Sequence, residues 1–148
     1  MQQPAIVQLG DLRHLDDIIA YDHLARSGDV GRIAEVREAA ESGRLRIAVR
    51  DRQVLGHAIV RQQVFFGSDF LDLVFVAESA RRTGIGLLLV RAVRDQAHGR
   101  IWTSTNLSNA PMHRLLRTNG WHPAGMLDGL DEADPEVFYF SDGTAATE

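Results

Sequence analysis

The chain has 148 residues, 45% of them hydrophobic and 24% charged, with a formal net charge of -4. That is enough for one substantial core and ordinary for a globular protein, and its overall field is a poor match for nucleic acid. Cysteine and lysine are both absent, which excludes disulfides, thiolate metal sites, a cysteine acyl-enzyme and Schiff-base chemistry, and fits a reducing, cytoplasmic setting.

The first ten residues lack a basic start and a long apolar run, so no signal peptide is expected, and no stretch reaches bilayer length. Ile6 to Leu9 reads as a short strand. Asp11 is a plausible N-cap for a helix running to about Ala25, with Leu12, Leu15, Ile18 and Ile19 apolar. Arg26 to Asp29 breaks it, and a second helix follows from Val30 to about Glu41 with a mixed face of Val30, Ile33, Ala34, Val36 and Arg37. Leu45 to Arg50 and Val54 to Phe66 read as antiparallel strands around Asp51-Arg52, and Gly67-Ser68 turns into a central strand ending at Val76.

After Gly86 a helix carries Ile85, Leu88, Leu89, Ala92, Val93 and Gln96 on one face, with Arg91, Arg94 and Asp95 outward as a solvated face. Ile101 to Thr105 is a strand, and Ser108-Asn109 caps a short helix with Pro111 in its first turn. Trp121 to Leu127 and Glu136 to Phe140 are the last strands, and the tail from about residue 141 is expected to fray. No repeat or linker interrupts residues 1–148, so a single domain is expected. The order β, α, α, β, β, β, α, β, α, β, β is a mixed α/β arrangement with hairpins and one helix crossing from the central strand to its neighbour.

The most informative stretch runs from Phe70 to Leu87. An apolar strand with one acid leads through a polar turn into Gly84-Ile85-Gly86 and a helix start. Glycines there let a ligand approach the backbone. First-turn N–H groups have no partner within a helix and carry the positive end of its dipole, which suits phosphate. Arg81 and Arg82 add two charges. The plainer reading is a capped helix start with solvated arginines. A dinucleotide fingerprint would need glycine at Leu89, and a P-loop would need a lysine the chain does not have.

Arg81-x-x-Gly84-x-Gly86, five residues beyond Val76, resembles the acyl-CoA pyrophosphate loop of the GNAT superfamily of N-acyltransferases, in which Gln or Arg opens the pattern. Asn109 to Trp121 resembles that family's second motif, an asparagine, an apolar helix and then Gly-Phe, with Trp121 in the place of phenylalanine. The element order agrees over nearly the whole chain. The resemblance implies a GNAT-type mixed, mostly antiparallel sheet with splayed central strands, flanked by helices, and acetyl-CoA as cosubstrate. It assigns cofactor contacts to Val74, Phe75 and Val76 on the strand, and to Arg81, Arg82, Thr83, Gly84, Ile85, Gly86 and Leu87 in the loop. Asn109 is either only an N-cap or also a contact of the pantetheine. Leu116 stands where many relatives carry a tyrosine that protonates the leaving thiolate, and leucine cannot give a proton.

Transfer to an amine needs a base. Asp72 lies in an otherwise apolar strand where some relatives carry a catalytic glutamate. Buried and unpaired, it would have a raised pKa, whereas at an edge it would meet water or an arginine. The acidic link from Leu127 to Glu136 resembles one seen before the last strand in one bacterial group of the family. It offers Glu136 and Asp134 as further bases, or a solvated loop that attracts a cationic amine. The six histidines lack metal-ligand spacing, and His57, within a strand, reads as structural.

The expected activity is direct acetyl transfer from acetyl-CoA to a primary amine of a small cationic molecule, with no membrane or nucleic-acid partner and, from the resemblance, a possible homodimer. A non-catalytic acyl-CoA sensor, motivated by Leu116, and a toxin acetylating aminoacyl-tRNA, against which the acidity speaks, remain as rivals.

Overall fold

The computed structural model describes residues 3–143. Its strands are β1 (Ile6–Leu9), β2 (Leu45–Arg50), β3 (Gln53–Phe65), β4 (Ser68–Val76), β5 (Arg100–Asn106), β6 (His122–Leu127) and β7 (Glu136–Asp142). They form one seven-stranded mixed sheet in the order β1-β2-β3-β4-β5-β7-β6. β1 with β2, β2 with β3, β5 with β7 and β6 with β7 are antiparallel, and β4 with β5 is parallel. The parallel pair is linked by the helix α4 (Ile85–Gln96), as the single crossover in the sequence requires. Its ladder covers only Asp69–Leu71 against Ile101–Thr103. Val74, Phe75 and Val76 lie beyond its end.

The described residues cluster into two compact units, residues 3–60 with 73–89 and residues 61–72 with 90–143. In the first, the helix expected from Asp11 to Ala25 is broken. Asp11 caps a 3-10 turn at Leu12–His14, α1 runs Leu15–Tyr21, Asp22 is extended (φ -79°, ψ 107°), and α2 covers His23–Arg26. The reason is electrostatic. Asp22 is fully buried, its Oδ1 accepts from the Leu24 and Ala25 N–H groups, and its Oδ2 accepts from Arg32 Nε at 2.7 Å. Serving as the cap of α2 and as partner of Arg32 holds it out of helical geometry. It also stands on the apolar stripe set by Leu15 and Ile18, the one sequence sign that position 22 is special.

Arg32 belongs to α3 (Val30–Glu41), which Asp29 caps and whose bounds match the sequence. Its buried face differs from the expected one. Val36, Ala39 and Ala40 are inside, packed with Leu15, Ile18, Leu45, Ile47, Val54 and Ile59, while Val30 is 78% exposed.

β3 brings His57 into this unit fully buried. Its Nδ1 is 2.7 Å from the Tyr21 hydroxyl, and its Nε2 has no hydrogen-bond partner and lies 3.9 Å from Asp22 Oδ2. The expected structural role is thus only half satisfied. Burial, against the pull of Asp22 and with the push of Arg32, holds the imidazole pKa down from its usual 6.5 to about 4.

In the second unit, α4 buries Val90, Val93 and the following Ala97, and Gln96 is exposed. Arg91 is exposed as expected and Arg94 is half-buried, and both also hold the chain just past the end of α5 (Ala110–Arg117). Arg91 Nε donates to Asn119 Oδ1 at 3.0 Å and Arg94 Nη1 to the Asn119 carbonyl at 2.7 Å. Gly120 follows at φ +81°, with Arg94 pressed against the place a Cβ would take. Its left-handed dihedral is what calls for glycine there, since the Arg94 guanidinium is the mobile end of a long side chain.

The expected fraying at residue 141 does not occur there. Ser141 is buried in β7 and donates to the Gly120 carbonyl at 2.8 Å. Residues 144–148 lie outside the described residues.

His57 makes stability depend on pH with a defined sign. Between its ordinary 6.5 and about 4, the unfolded chain takes up a proton that the folded chain refuses. The contribution of the neutral, buried ring is complete above 6.5 and is lost as pH falls toward 4. Urea unfolding at pH 7 and pH 4.5 should show wild type losing on the order of 3 kcal/mol more than His57→Gln across this window; equal losses would contradict the assignment.

Candidate active site

The turn from β4 into α4 is built from the first unit. Ala77 N donates to the Leu55 carbonyl at 2.8 Å, fixing the chain as it leaves the strand. A 3-10 turn, Glu78–Ala80, follows, and the Thr83 hydroxyl bonds back to the Ala80 carbonyl. Arg82 (φ 64°) and Gly84 (φ 87°) both adopt left-handed geometry. Arg81 before them is extended (φ -65°, ψ 147°), so the chain changes direction sharply as it enters the helix.

The first helical bond donates from Leu88 N to the Gly84 carbonyl at 3.0 Å. The amides of Ile85, Gly86 and Leu87 precede it and so lack a helical acceptor. Ile85 itself is 2% exposed, and its side chain pins this helix start to the core. Arg81, Arg82, Thr83 and Gly84 are exposed, and nothing lies within 4 Å of where a Gly84 Cβ would stand. The predicted loop residues therefore come together as an exposed turn, carrying Arg81 and Arg82, that leads into three amides without a helical acceptor.

Arg81 does more than add charge. Its Nε donates to the Val76 carbonyl at 3.3 Å and its guanidinium lies 5.7 Å from the Phe75 ring centroid. Phe75 is also faced by Tyr21, His23 and His57, with ring centroids at 6.2, 5.4 and 5.9 Å, and by the Arg32 guanidinium at 5.4 Å. Sequence reasoning missed this aromatic cluster, because Tyr21, His57 and Phe75 are far apart in the chain and none has a motif of its own.

In the second unit, Asp72 is exposed and paired with Arg61, Oδ2 accepting from Nε at 2.8 Å. Burial in an apolar strand, one of its two expected settings, is thus overturned; the expected pairing with an arginine is found, although on an interior strand of the sheet rather than at its edge. The physical reason is that Arg61, on the neighbouring β3, supplies the counter-charge that an isolated carboxylate would lack.

Asn109 is the N-cap of α5. Its Oδ1 accepts from Met112 N at 3.3 Å and its Nδ2 donates to Thr105 Oγ1 at 3.0 Å, so both ends of the amide are used. Leu116 is fully buried, as its place on the apolar stripe of α5 required. The acidic link is ordered by a residue the sequence had not singled out. Asn106 Nδ2 donates to Asp131 Oδ2 at 2.7 Å, to Glu136 Oε2 at 3.2 Å and to the Asp134 carbonyl at 3.2 Å. Asp134 spends its carboxylate on Ser108, accepting from N at 3.1 Å and Oγ at 2.6 Å. Glu136 stays half-buried at the start of β7.

The profile of the acetyltransferase (GNAT) family matches residues 13–121, a span that includes both motifs. No curated protein sequence matches the chain. Among solved structures, a GNAT-family acetyltransferase from Bacillus cereus is 27% identical and superposes with a TM-score of 0.87, over 95% of this chain and 99% of that one. A ribosomal-protein-alanine N-acetyltransferase from Brucella melitensis is 20% identical, with a TM-score of 0.71 over 93% of this chain and 99% of that one. A candidate streptothricin acetyltransferase from Bacillus anthracis, solved in complex with acetyl coenzyme A, is 16% identical, with a TM-score of 0.59 over 66% of this chain and 61% of that one. The last two likenesses speak for the fold alone. With the family profile spanning most of the sequence, and with the expected sheet and loop found beneath it, the chain belongs to the GNAT family of acetyltransferases.

Proposed function

We propose that this protein transfers the acetyl group of acetyl-CoA directly to a primary amine of a small cationic molecule. The observation that carries the reading is the run of amides without helical acceptors at the start of α4, opened by the left-handed Arg82 and Gly84 and preceded by Arg81. Such a run suits a diphosphate, because fixed N–H dipoles and guanidinium charges stabilise anionic oxygens without reorganising. Acetyl-CoA supplies an activated thioester.

The main chain of Val74, Phe75 and Val76, beyond the end of the β4–β5 ladder, is assigned to hold the thioester end of the cosubstrate, and Asn109 is carried over from the family's second motif. These are backbone and cap positions, which explains why side chains there are apolar or already engaged. A nucleophilic enzyme residue is not invoked, since cysteine is absent from the chain.

The acceptor amine must lose a proton before or as it attacks. Of the two proposed bases, Glu136 is the better placed chemically. It is half-buried, and Oε2 is oriented by Asn106. Asp72 is spoken for by Arg61. The net charge of -4 and the acidic link, with Asp131 and Glu136 sharing one amide donor, support a cationic acceptor.

A screen of primary amines with acetyl-CoA, followed by thiol release, should find turnover among cationic ones; turnover confined to anionic acceptors would refute that substrate class. Gly84→Glu should abolish acetyl-CoA binding in calorimetry, because it sets bulk and negative charge on a left-handed position beside the amides; unchanged affinity would remove the loop from the site. Glu136→Gln should lower kcat by about a hundredfold or more with acetyl-CoA affinity intact. Asp72→Asn should have the smaller effect, and the reverse ranking would return the base to Asp72.

A further inference from the structure

Tyr21 ends α1 and lines two cavities of the first unit, one of about 410 Å³ shared with Asp17, Asp51 and Gln53, the other of about 560 Å³ shared with His23, Arg26 and Arg81. Its ring stacks on Phe75, and so stands beside the strand end assigned to the thioester. Behind it lies the buried imidazole of His57, and behind that Asp22 with Arg32.

This order fixes the direction of the hydrogen bond between Tyr21 and His57. A neutral imidazole carries one proton. If it sat on Nδ1, the lone pair of Nε2 would face the Asp22 carboxylate oxygen, two electron-rich atoms 3.9 Å apart in a place without water-exposed surface. With the proton on Nε2, an N–H dipole faces the carboxylate instead, and Nδ1 becomes an acceptor. The Tyr21 hydroxyl then donates inward to Nδ1, and only its lone pairs are left for other partners.

Burial, with the charges of Asp22 and Asp17, raises the phenol pKa far above its usual 10, so the group stays a neutral hydroxyl. The charged or titratable groups around the pair are Asp17 on α1, Asp22 at the break, His23 on α2 and Arg32 on α3, with Arg81 on the far side of Phe75.

We propose that Tyr21 is a substrate-binding residue that offers its hydroxyl oxygen as the hydrogen-bond acceptor for the acceptor's amine, and that His57 is the positioning residue that draws the phenol proton away from the cavity. The inference rests on the acetyl-transfer reading, since it takes this side of Phe75 as the amine's approach. An oxygen whose own proton is already given inward selects for ligands that bring N–H donors. The negative potential of Asp17 and Asp22 on the same oxygen favours those that bring positive charge.

The first test needs no substrate. Nitrogen-15 spectra of histidine-labelled full-length protein should show His57 protonated at Nε2 with Nδ1 accepting, and Tyr21→Phe should shift the Nδ1 resonance. A proton on Nδ1 would overturn the proposal.

The second uses the amine that turns over best in the screen. Tyr21→Phe should raise its KM by about tenfold, the size expected for one lost hydrogen bond to a charged group, with acetyl-CoA affinity unchanged. His57→Gln, which keeps an acceptor near the hydroxyl, should retain most of the wild-type KM, and His57→Leu should behave like Tyr21→Phe. An unchanged amine KM in Tyr21→Phe would overturn the assignment whatever the melting temperature does. Failure of wild type to bind acetyl-CoA would instead remove the reading beneath it.

Discussion

The start of α4 is the constraint on which the functional account depends. A helix must leave its first amides without internal acceptors, and here the residues that lead into them, Arg81 to Gly84, are exposed. Arg82 and Gly84 are held in left-handed geometry, Ile85 is anchored in the core, and the Ala77 N–H is tied to Leu55. The segment is thus fixed at both ends while its donors stay open. A left-handed arginine is an uncommon feature with a real conformational cost. It persists where the surrounding structure dictates it, as at a ligand site prepared in advance of the ligand.

The second organising feature is the buried carboxylate of Asp22. It breaks what would otherwise be one helix, caps the next, and is neutralised by Arg32. Removing one partner of such a pair typically destabilises by about 3–5 kcal/mol, whereas apolar replacement of the whole pair can be neutral. The arrangement is therefore better explained by what it orients than by stability alone. It sets the polarity of His57, which sets the polarity of Tyr21, and Tyr21 and Arg32 both pack on Phe75. The proposed substrate contact at Tyr21 and the buried polar cluster of the first unit are in this way built from the same side chains.

Much of this was legible in the sequence, for identifiable reasons. β1, β2 and α3 have the bounds that their apolar runs and turn residues announced, and the β4–α4–β5 crossover followed from element order. The Gly84-Ile85-Gly86 turn was legible because a left-handed turn into a helix is a matter of backbone geometry, which glycine spacing reports. The break at Asp22 was hidden because its cause is Arg32, ten residues on, and a local pattern cannot see a buried partner. Asp72 was left between two settings for the same reason: its strand is apolar, and only the fold shows that Arg61 meets it from the next strand. The bonds of Arg91 and Arg94 to Asn119 were hidden because that residue lies some 25 positions or more further along the chain. Asn106 carried no motif at all, yet it gathers the acidic link.

The most direct measurement of the central claim is a titration of uniformly nitrogen-15-labelled protein with coenzyme A, following backbone amides one by one. The account predicts saturable shifts that are largest at Thr83, Gly84, Ile85, Gly86 and Leu87, the amides left open before the first helical bond. Saturable binding that leaves these five unmoved while other amides shift would contradict it.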